Sequence, residues 1–469
     1  LDHRRRVSRC SLAFYLPVLV LFFSVPVLSI AADQSSSSSK QPSEPSYTVN
    51  GYVSTRYVYR TAELPGQRAI DQDAFGDLRF DVTSPKERSA EFHFFGTARS
   101  DLDGNQAPGT FHPFEDAADT HRSRASGYLY EAHLDFNEPL AKVTQVRLGR
   151  QAGTRDEPVF FDGIGVDMGG EKVNLTLYGG AAVHFYGIDS RWGRNVLEGA
   201  GLDVHPTTLT GLSFDYLAIR DERTFTAADD ARTDRLTAMK ITQRFAQYNR
   251  LTAKYRHLNS RPRDISVNAS VTSPEKEMEM SVGFFRQFRT QNELSNELSP
   301  FFDVIGRSAP FQSYDIKLRK FFAARLAIDL GYFKRALLDA AVDQGPFDRE
   351  FTRKYIDAEV TDFIVPNLSW TLIAEWWDSG QRTFRTFGND LSYAVRKKSG
   401  KQAKVSAGTS YSLFKYDYYL DLGAREQVRT YYFTAKYPLG AQVALNAGYE
   451  LEYGIEIYQI VKAGMRYDY

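Results

Sequence analysis

Cysteine is almost absent: Cys10 is the single one in 469 residues. A disulfide framework is therefore excluded, and the chain must close its structure by other means. No CxxCH occurs, so the chain cannot attach c-type haem itself. A Gly-rich phosphate loop and a GxSxG elbow are missing too, and no catalytic residue or cofactor is expected. Neither charge dominates. The 58 Lys plus Arg match the 58 Asp plus Glu, which gives no argument for a nucleic-acid partner. After residue 31 no apolar run approaches the roughly 20 residues that a spanning helix needs, which excludes a helical membrane protein.

What the chain does have is aromatic residues, 28 Tyr and 33 Phe, on a polar average with a mean hydropathy of −0.41. A membrane β-barrel hides its hydrophobicity in alternation, so this combination is compatible with one. Residues 1–31 have the three parts of an export signal. Arg4, Arg5, Arg6 and Arg9 precede an apolar stretch from Leu12 to Ile30, and Ser29-Ile30-Ala31 offers small residues for cleavage after Ala31. Cleavage removes four Arg and one Asp, leaving 54 basic and 57 acidic residues and a net charge of −3. Cys10 is lost with them. Residues 32–46, with Ser35 to Ser39 in a row, read as a Ser/Pro-rich tether.

From Tyr47 to Tyr469 the pattern has period two. Val461, Ala463, Met465, Tyr467 and Tyr469 alternate with Lys462, Gly464, Arg466 and Asp468. Leu78, Phe80 and Val82 oppose Arg79 and Asp81, and Tyr128, Tyr130, Ala132, Leu134 and Phe136 oppose Glu131, His133 and Asp135. A strand sends alternate side chains to opposite faces, so each segment has one apolar and one charged face. Short turns, such as 169–170, 246–248 and 438–440, alternate with connections that are often longer, such as 103–126 and 291–310. The expectation is an all-β fold: a single transmembrane, antiparallel, up-and-down β-barrel of about 22 strands, within 18–24. Its even strand number puts both termini on the periplasmic side. The first strand starts near Tyr47, so no plug domain is expected.

Around 22 strands leave a wide lumen. The charged faces would line it with Arg79, Asp81, Glu131, His133 and Arg147 early in the chain and Arg250, Lys254 and Arg256 on one later strand. Lys317, Arg319, Arg325, Asp329, Asp357, Glu359, Lys462 and Arg466 follow. Such a wall either selects ions by sign or neutralises itself through neighbouring carboxylates such as Asp315, and the small net charge favours neutralisation. Two connections are candidates to fold inward. One carries Asp116, Asp119, Arg122 and Arg124, the other Glu293, Glu297 and Asp303. Glu131, His133 and Asp135 stand about 6.6–7 Å apart along one strand, loose for one metal ion without a further ligand, and no metal site is expected.

Tyr469 ends the last apolar face, two residues after Tyr467, and resembles the C-terminal aromatic signal by which Gram-negative outer-membrane barrels are recognised for assembly. Gly149-Arg150-Gln151 followed by Phe161-Asp162-Gly163 resembles a pairing in alginate-export-like porins. Asp71-Gln72-Asp73 before Asp77-Leu78-Arg79-Phe80-Asp81 is similar to the opening of porins that sheathe multihaem cytochromes. These resemblances imply an outer-membrane porin that is not an enzyme: a passive, water-filled channel for small hydrophilic or charged solutes. The alternative is a sheath that houses a multihaem cytochrome partner in a trans-membrane electron conduit. Outer-membrane lipid and the barrel-assembly machinery are expected partners, and a homotrimer is open.

Overall fold

A computed structural model of the chain describes residues 47–64, 67–84, 89–104, 124–153, 155, 159–183, 195–221, 232–289, 309–339, 350–378, 383–396, 401–413, 427–454 and 456–469. The export signal and tether of the sequence reading, residues 1–46, lie outside them. The described residues form 22 antiparallel strands, from β1 (Thr48–Leu64) to β22 (Ile457–Asp468). Each strand pairs with its neighbours in sequence, and β1 pairs with β22, so the sheet closes on itself. Closure leaves no unpaired edge, which a cysteine-free β chain otherwise has to protect. Among the described residues no helix is long and apolar enough to cross a membrane.

The seam joins Tyr52 to Asp468 and Glu63 to Ile457, so the chain enters and leaves at one end of the barrel. Ten connections share that end, here called the turn end, and eleven lie at the opposite, loop end. The tightest turn-end connections are the two residues 141–142, 208–209 and 247–248. The long ones, between β3 (Ala90–Asp101) and β4 (Ala125–Leu140) and between β13 (Met278–Gln287) and β14 (Phe311–Phe322), are at the loop end. One loop-end hairpin is also tight. Asn259 and Ser260 both have positive φ, 52° and 64°, the twist that suits a two-residue β-hairpin.

Alternation decides which side is which. Met280, Leu318, Leu330 and Ile356 follow one another in register across β13, β14, β15 (Leu326–Leu337) and β16 (Phe351–Val360), on the outside. Leu148, Ile164, Leu177, Val282, Ile316 and Leu372 are exposed on the same outer surface. Phe245, Phe322, Tyr393 and Tyr437 flank this apolar belt at the turn end, and Trp376, Phe387, Tyr431 and Tyr453 at the loop end. An apolar belt between two aromatic girdles is the exterior of a β-barrel solvated by lipid. With strands about 4.8 Å apart and tilted about 40°, 22 of them enclose a ring roughly 40 Å across, too wide for side chains to fill.

One expected face is broken. A bulge between β3 and β4 at Phe95/Gly96 shifts the register, so that Tyr128 pairs with Thr97 while Leu134 pairs with Phe92. Thr97 donates to Asp77 on the lumen side, and the Arg99 guanidinium covers the Tyr128 ring. Tyr128 therefore lines the lumen rather than continuing the outer face of Ala132 and Leu134. A bulge adds one residue and so reverses the alternation beyond it.

Candidate functional site: the lumen wall

The inner face is charged along most of the circumference. Its first sector runs from β1 to β5 (Val143–Ala152). Arg60 on β1 bridges to Asp71 and Asp73 on β2 (Gln67–Thr83). Arg79 pairs with Asp81 at 3.4 Å, and Arg147 grips Asp135 with Nε at 2.8 Å and Nη2 at 2.9 Å. His93 and His133 lie directly opposite each other on β3 and β4, with stacked rings 4.9 Å apart. Glu131 shares the inner face with His133 and acts on the charge of Arg147. At the loop-end rim, burial raises the Asp103 carboxyl above the usual range. The Gln72 amide partly counters this, and the neighbouring Asp101 adds to it.

The other anticipated lining residues fall into three groups. Arg250, Lys254 and Arg256 share the inner face of β11 (Asn249–Leu258), and Arg256 bridges to Asp264 at 2.8 Å. Lys317 stands 3.4 Å from Asp315, while Arg319 reaches Glu359 at 2.9 Å and Asp329 at 3.6 Å. Asp357 faces Asp329 across β15 and β16. Lys462 pairs with Glu450 at 2.7 Å and Arg466 with Asp468 at 2.6 Å. Arg325 is placed differently: it ends the 3-10 turn Ala323–Arg325 at the turn end, off the strand wall. Most of these cations thus have a carboxylate at hand.

One strip does not. Lys240 on β10 (Arg232–Ala246) faces Lys254, and Arg244 faces Arg250, cation against cation in register. Among the described residues Lys240, Arg244 and Arg250 form no ion pair; Arg250 donates only to the Thr252 hydroxyl, at 3.2 Å. Like charges directly opposite repel, and with Asp203 the one carboxylate shown acting with Lys240, this strip presents an excess of positive charge to the lumen.

An inward connection also lies between two earlier strands. Between β5 and β6 (Phe160–Gly169), Val159 is buried beside Phe161, Ala182, Leu197, Leu217 and Ile219. From the same connection Arg155 reaches across to β8 (Val196–Thr207) and β9 (Thr210–Asp221), bonding Asp203 at 2.6 Å and Asp215 at 2.5 Å. Its guanidinium lies flat on Gly201, where a Cβ would come within 2.3 Å of it. The glycines Gly199 and Gly201 on the inner face of β8 are the sequence signal for this seat. Of the two connections expected to fold inward, Asp116, Asp119, Arg122, Glu293, Glu297 and Asp303 lie outside the described residues. Arg124 is described and packs on Gly104 at the base of its loop.

The GRQ and FDG segments prove to be one structural unit. Gly149 and Gly163 pair directly, with Gly180 next in register, and a Cβ on Gly163 would meet the Gly179 carbonyl at 2.1 Å. Arg150 and Asp162 form a two-bond ion pair, 2.7 Å each, on the outer face beside Leu148 and Ile164. Gln151 turns inward and donates to the Gly163 carbonyl at 3.2 Å. At the seam, Gly51 and Tyr469 exchange backbone hydrogen bonds, and the Tyr469 hydroxyl donates to the Arg79 carbonyl at 3.2 Å. Tyr467 pairs with Val53 beside it.

Closed sheet, apolar belt and charged lumen define the class, a β-barrel of the membrane-spanning type. The chain resembles the translocation pore of the P pilus usher PapC, with a TM-score of 0.46 and 9% identity over 89% of this chain and 99% of that one. It also resembles a BenF-like porin from Pseudomonas fluorescens Pf-5, with a TM-score of 0.44 and 10% identity over 90% and 98% of the two chains. Acinetobacter baumannii OccAB2 gives 0.42 and 12%, again over 90% and 98%. These likenesses extend to barrel architecture alone. No family model and no curated protein matches the sequence.

Proposed function

We propose that the chain is a porin of a bacterial outer membrane, a passive, water-filled channel for small hydrophilic or charged solutes. One observation carries this reading: a closed 22-stranded barrel that is apolar outside and charged inside. A lumen wall of paired charges keeps water in place, while an apolar belt with aromatic girdles matches lipid. No catalytic step belongs to this reading. The cleaved signal at residues 1–31, insertion by the assembly machinery through Tyr467 and Tyr469, and periplasmic placement of the turn end form part of the proposal. The inward seat of Arg155 favours a solute channel over a sheath for a multihaem cytochrome, because it narrows the lumen that a threaded partner would need.

The test is single-channel recording of the purified, refolded protein in planar bilayers under a salt gradient. Stable steps with a shifted reversal potential are expected. Folded protein that gives no steps would overturn the channel reading, and haem absorbance copurifying from native membranes would favour the sheath.

A further inference from the structure

We propose that the lumen wall carries a binding site for one divalent transition-metal ion of the zinc type, formed by His93, His133 and Asp135. The nearest ligand atoms of the three lie within 4.8 Å of one another, although the residues come from two strands 40 positions apart. Along β4 alone, Glu131, His133 and Asp135 are spread too loosely to hold one ion without a further ligand. That further ligand, His93, stands across the ladder on β3.

Both imidazoles are already oriented for a metal. The His133 Nδ1–H donates to the Arg150 carbonyl at 3.2 Å, so the lone pair of that ring is on Nε2. The His93 Nδ1–H donates to the Asp81 carboxylate at 2.7 Å, again leaving Nε2 as the open nitrogen. Both open nitrogens turn towards Asp135: His93 Nε2 is 3.8 Å and His133 Nε2 3.7 Å from its carboxylate oxygens. A ligating histidine characteristically donates its other ring N–H to a carboxylate or a backbone carbonyl, and here each histidine has one of the two. Two imidazoles and a carboxylate suit zinc, nickel or copper and not the oxygen-seeking calcium or magnesium.

Charge balance points the same way. Asp81, Glu91, Glu131 and Asp135 surround the rings, against the two guanidinium groups of Arg79 and Arg147. With Asp167, which like Glu131 acts on Arg147, the carboxylates number five against two guanidinium groups, an excess of negative charge that a bound dication reduces. Arg147 and Gln145 already donate to Asp135, so its carboxylate is held in place and offers the metal a remaining lone pair. His133 and Asp135 are buried, whereas His93 is partly open to the lumen, which supplies the access path and the side from which a fourth ligand would come.

The experiment is a zinc titration of the full-length, metal-stripped barrel in detergent, read as bound zinc per chain, with copper electron paramagnetic resonance on the same samples. One zinc per chain is expected, with two nitrogen couplings in the copper spectrum. His93→Gln and His133→Gln should each lose one nitrogen coupling and weaken binding by at least the roughly 10- to 100-fold expected for the orienting-residue variant Asp81→Asn. His205→Gln, on β8, serves as a control and should change nothing. Binding that survives both histidine substitutions, or less than half a zinc per folded chain, would overturn the site. Retained strand content by circular dichroism separates loss of the ligand from loss of the fold. Because binding is read without a membrane, the result is independent of the channel reading.

Discussion

Arg155 shows how much one side chain can settle in a wide barrel. It ties the β5–β6 connection to two carboxylates on strands that are not its neighbours, and it is only 12% exposed. Arg155→Ala should release that connection from the wall and leave Asp203 and Asp215 without their guanidinium. We expect a loss of about 1–3 kcal/mol in unfolding free energy, measured by denaturant titration. In bilayers the same variant should conduct more current per channel than the wild type. Gly201→Ala should reproduce both effects in weaker form, since a methyl group there displaces the guanidinium from its seat. Unchanged conductance in both variants would mean that this connection does not narrow the path. Arg155 was illegible in the sequence because its partners lie 48 and 60 residues away, across two other strands. His93 escaped for the same reason. Strand alternation tells on which face a residue lies, but not which residue stands opposite.

Elements were far more legible than contacts. The period-two runs led to 22 strands, and the short turns fell at one end, because a half-lipid, half-water environment writes itself directly into alternation. What alternation could not supply were its own interruptions. The bulge at Phe95/Gly96 turns Tyr128 inward, and the 3-10 turn removes Arg325 from the wall. Nor could it distinguish a neutralised cation from an open one: Arg319 and Arg250 look alike in the sequence, yet only the first meets a carboxylate. The β10–β11 strip makes this difference testable. Replacing Lys240, Arg244 and Arg250 together by Gln should shift the reversal potential towards cation selectivity, and raising the salt to about 1 M should erase the difference by screening. Stability should not fall, because the wild-type cations face one another. On β5 and β6 the opposite holds. Asp162→Asn leaves Arg150 on the outer face near the loop end without its carboxylate, held only by the Leu129 carbonyl, and should lower unfolding free energy by about 1 kcal/mol, the scale for a cation near the membrane interface.

For the whole molecule, everything rests on the seam. Twenty-one of the strand pairs join neighbours in sequence, whereas the pairing of β1 with β22 alone turns a sheet into a ring with the apolar belt outside and most of the charges inside. A disulfide across it is a direct test, helped by a chain whose only cysteine lies in the expected export signal. Thr55 and Met465 are opposite each other in the seam register. Directly opposed residues of an antiparallel pair have Cα atoms about 4.5–5.5 Å apart, inside the range a disulfide spans. Thr55→Cys combined with Met465→Cys, in the chain lacking residues 1–31, should therefore oxidise readily once folded. The product should run as a covalent ring that denaturant cannot open, while the urea-unfolded chain should not form it efficiently. The neighbouring mismatch Thr55→Cys with Leu445→Cys places the second cysteine one strand further on, opposite Met465 rather than Thr55, and should not cross-link. Equal cross-linking of both pairs would mean that β22 does not stand firmly between β1 and β21. No cross-linking of the first would mean that the sheet is open, and an open sheet of this length could enclose no lumen.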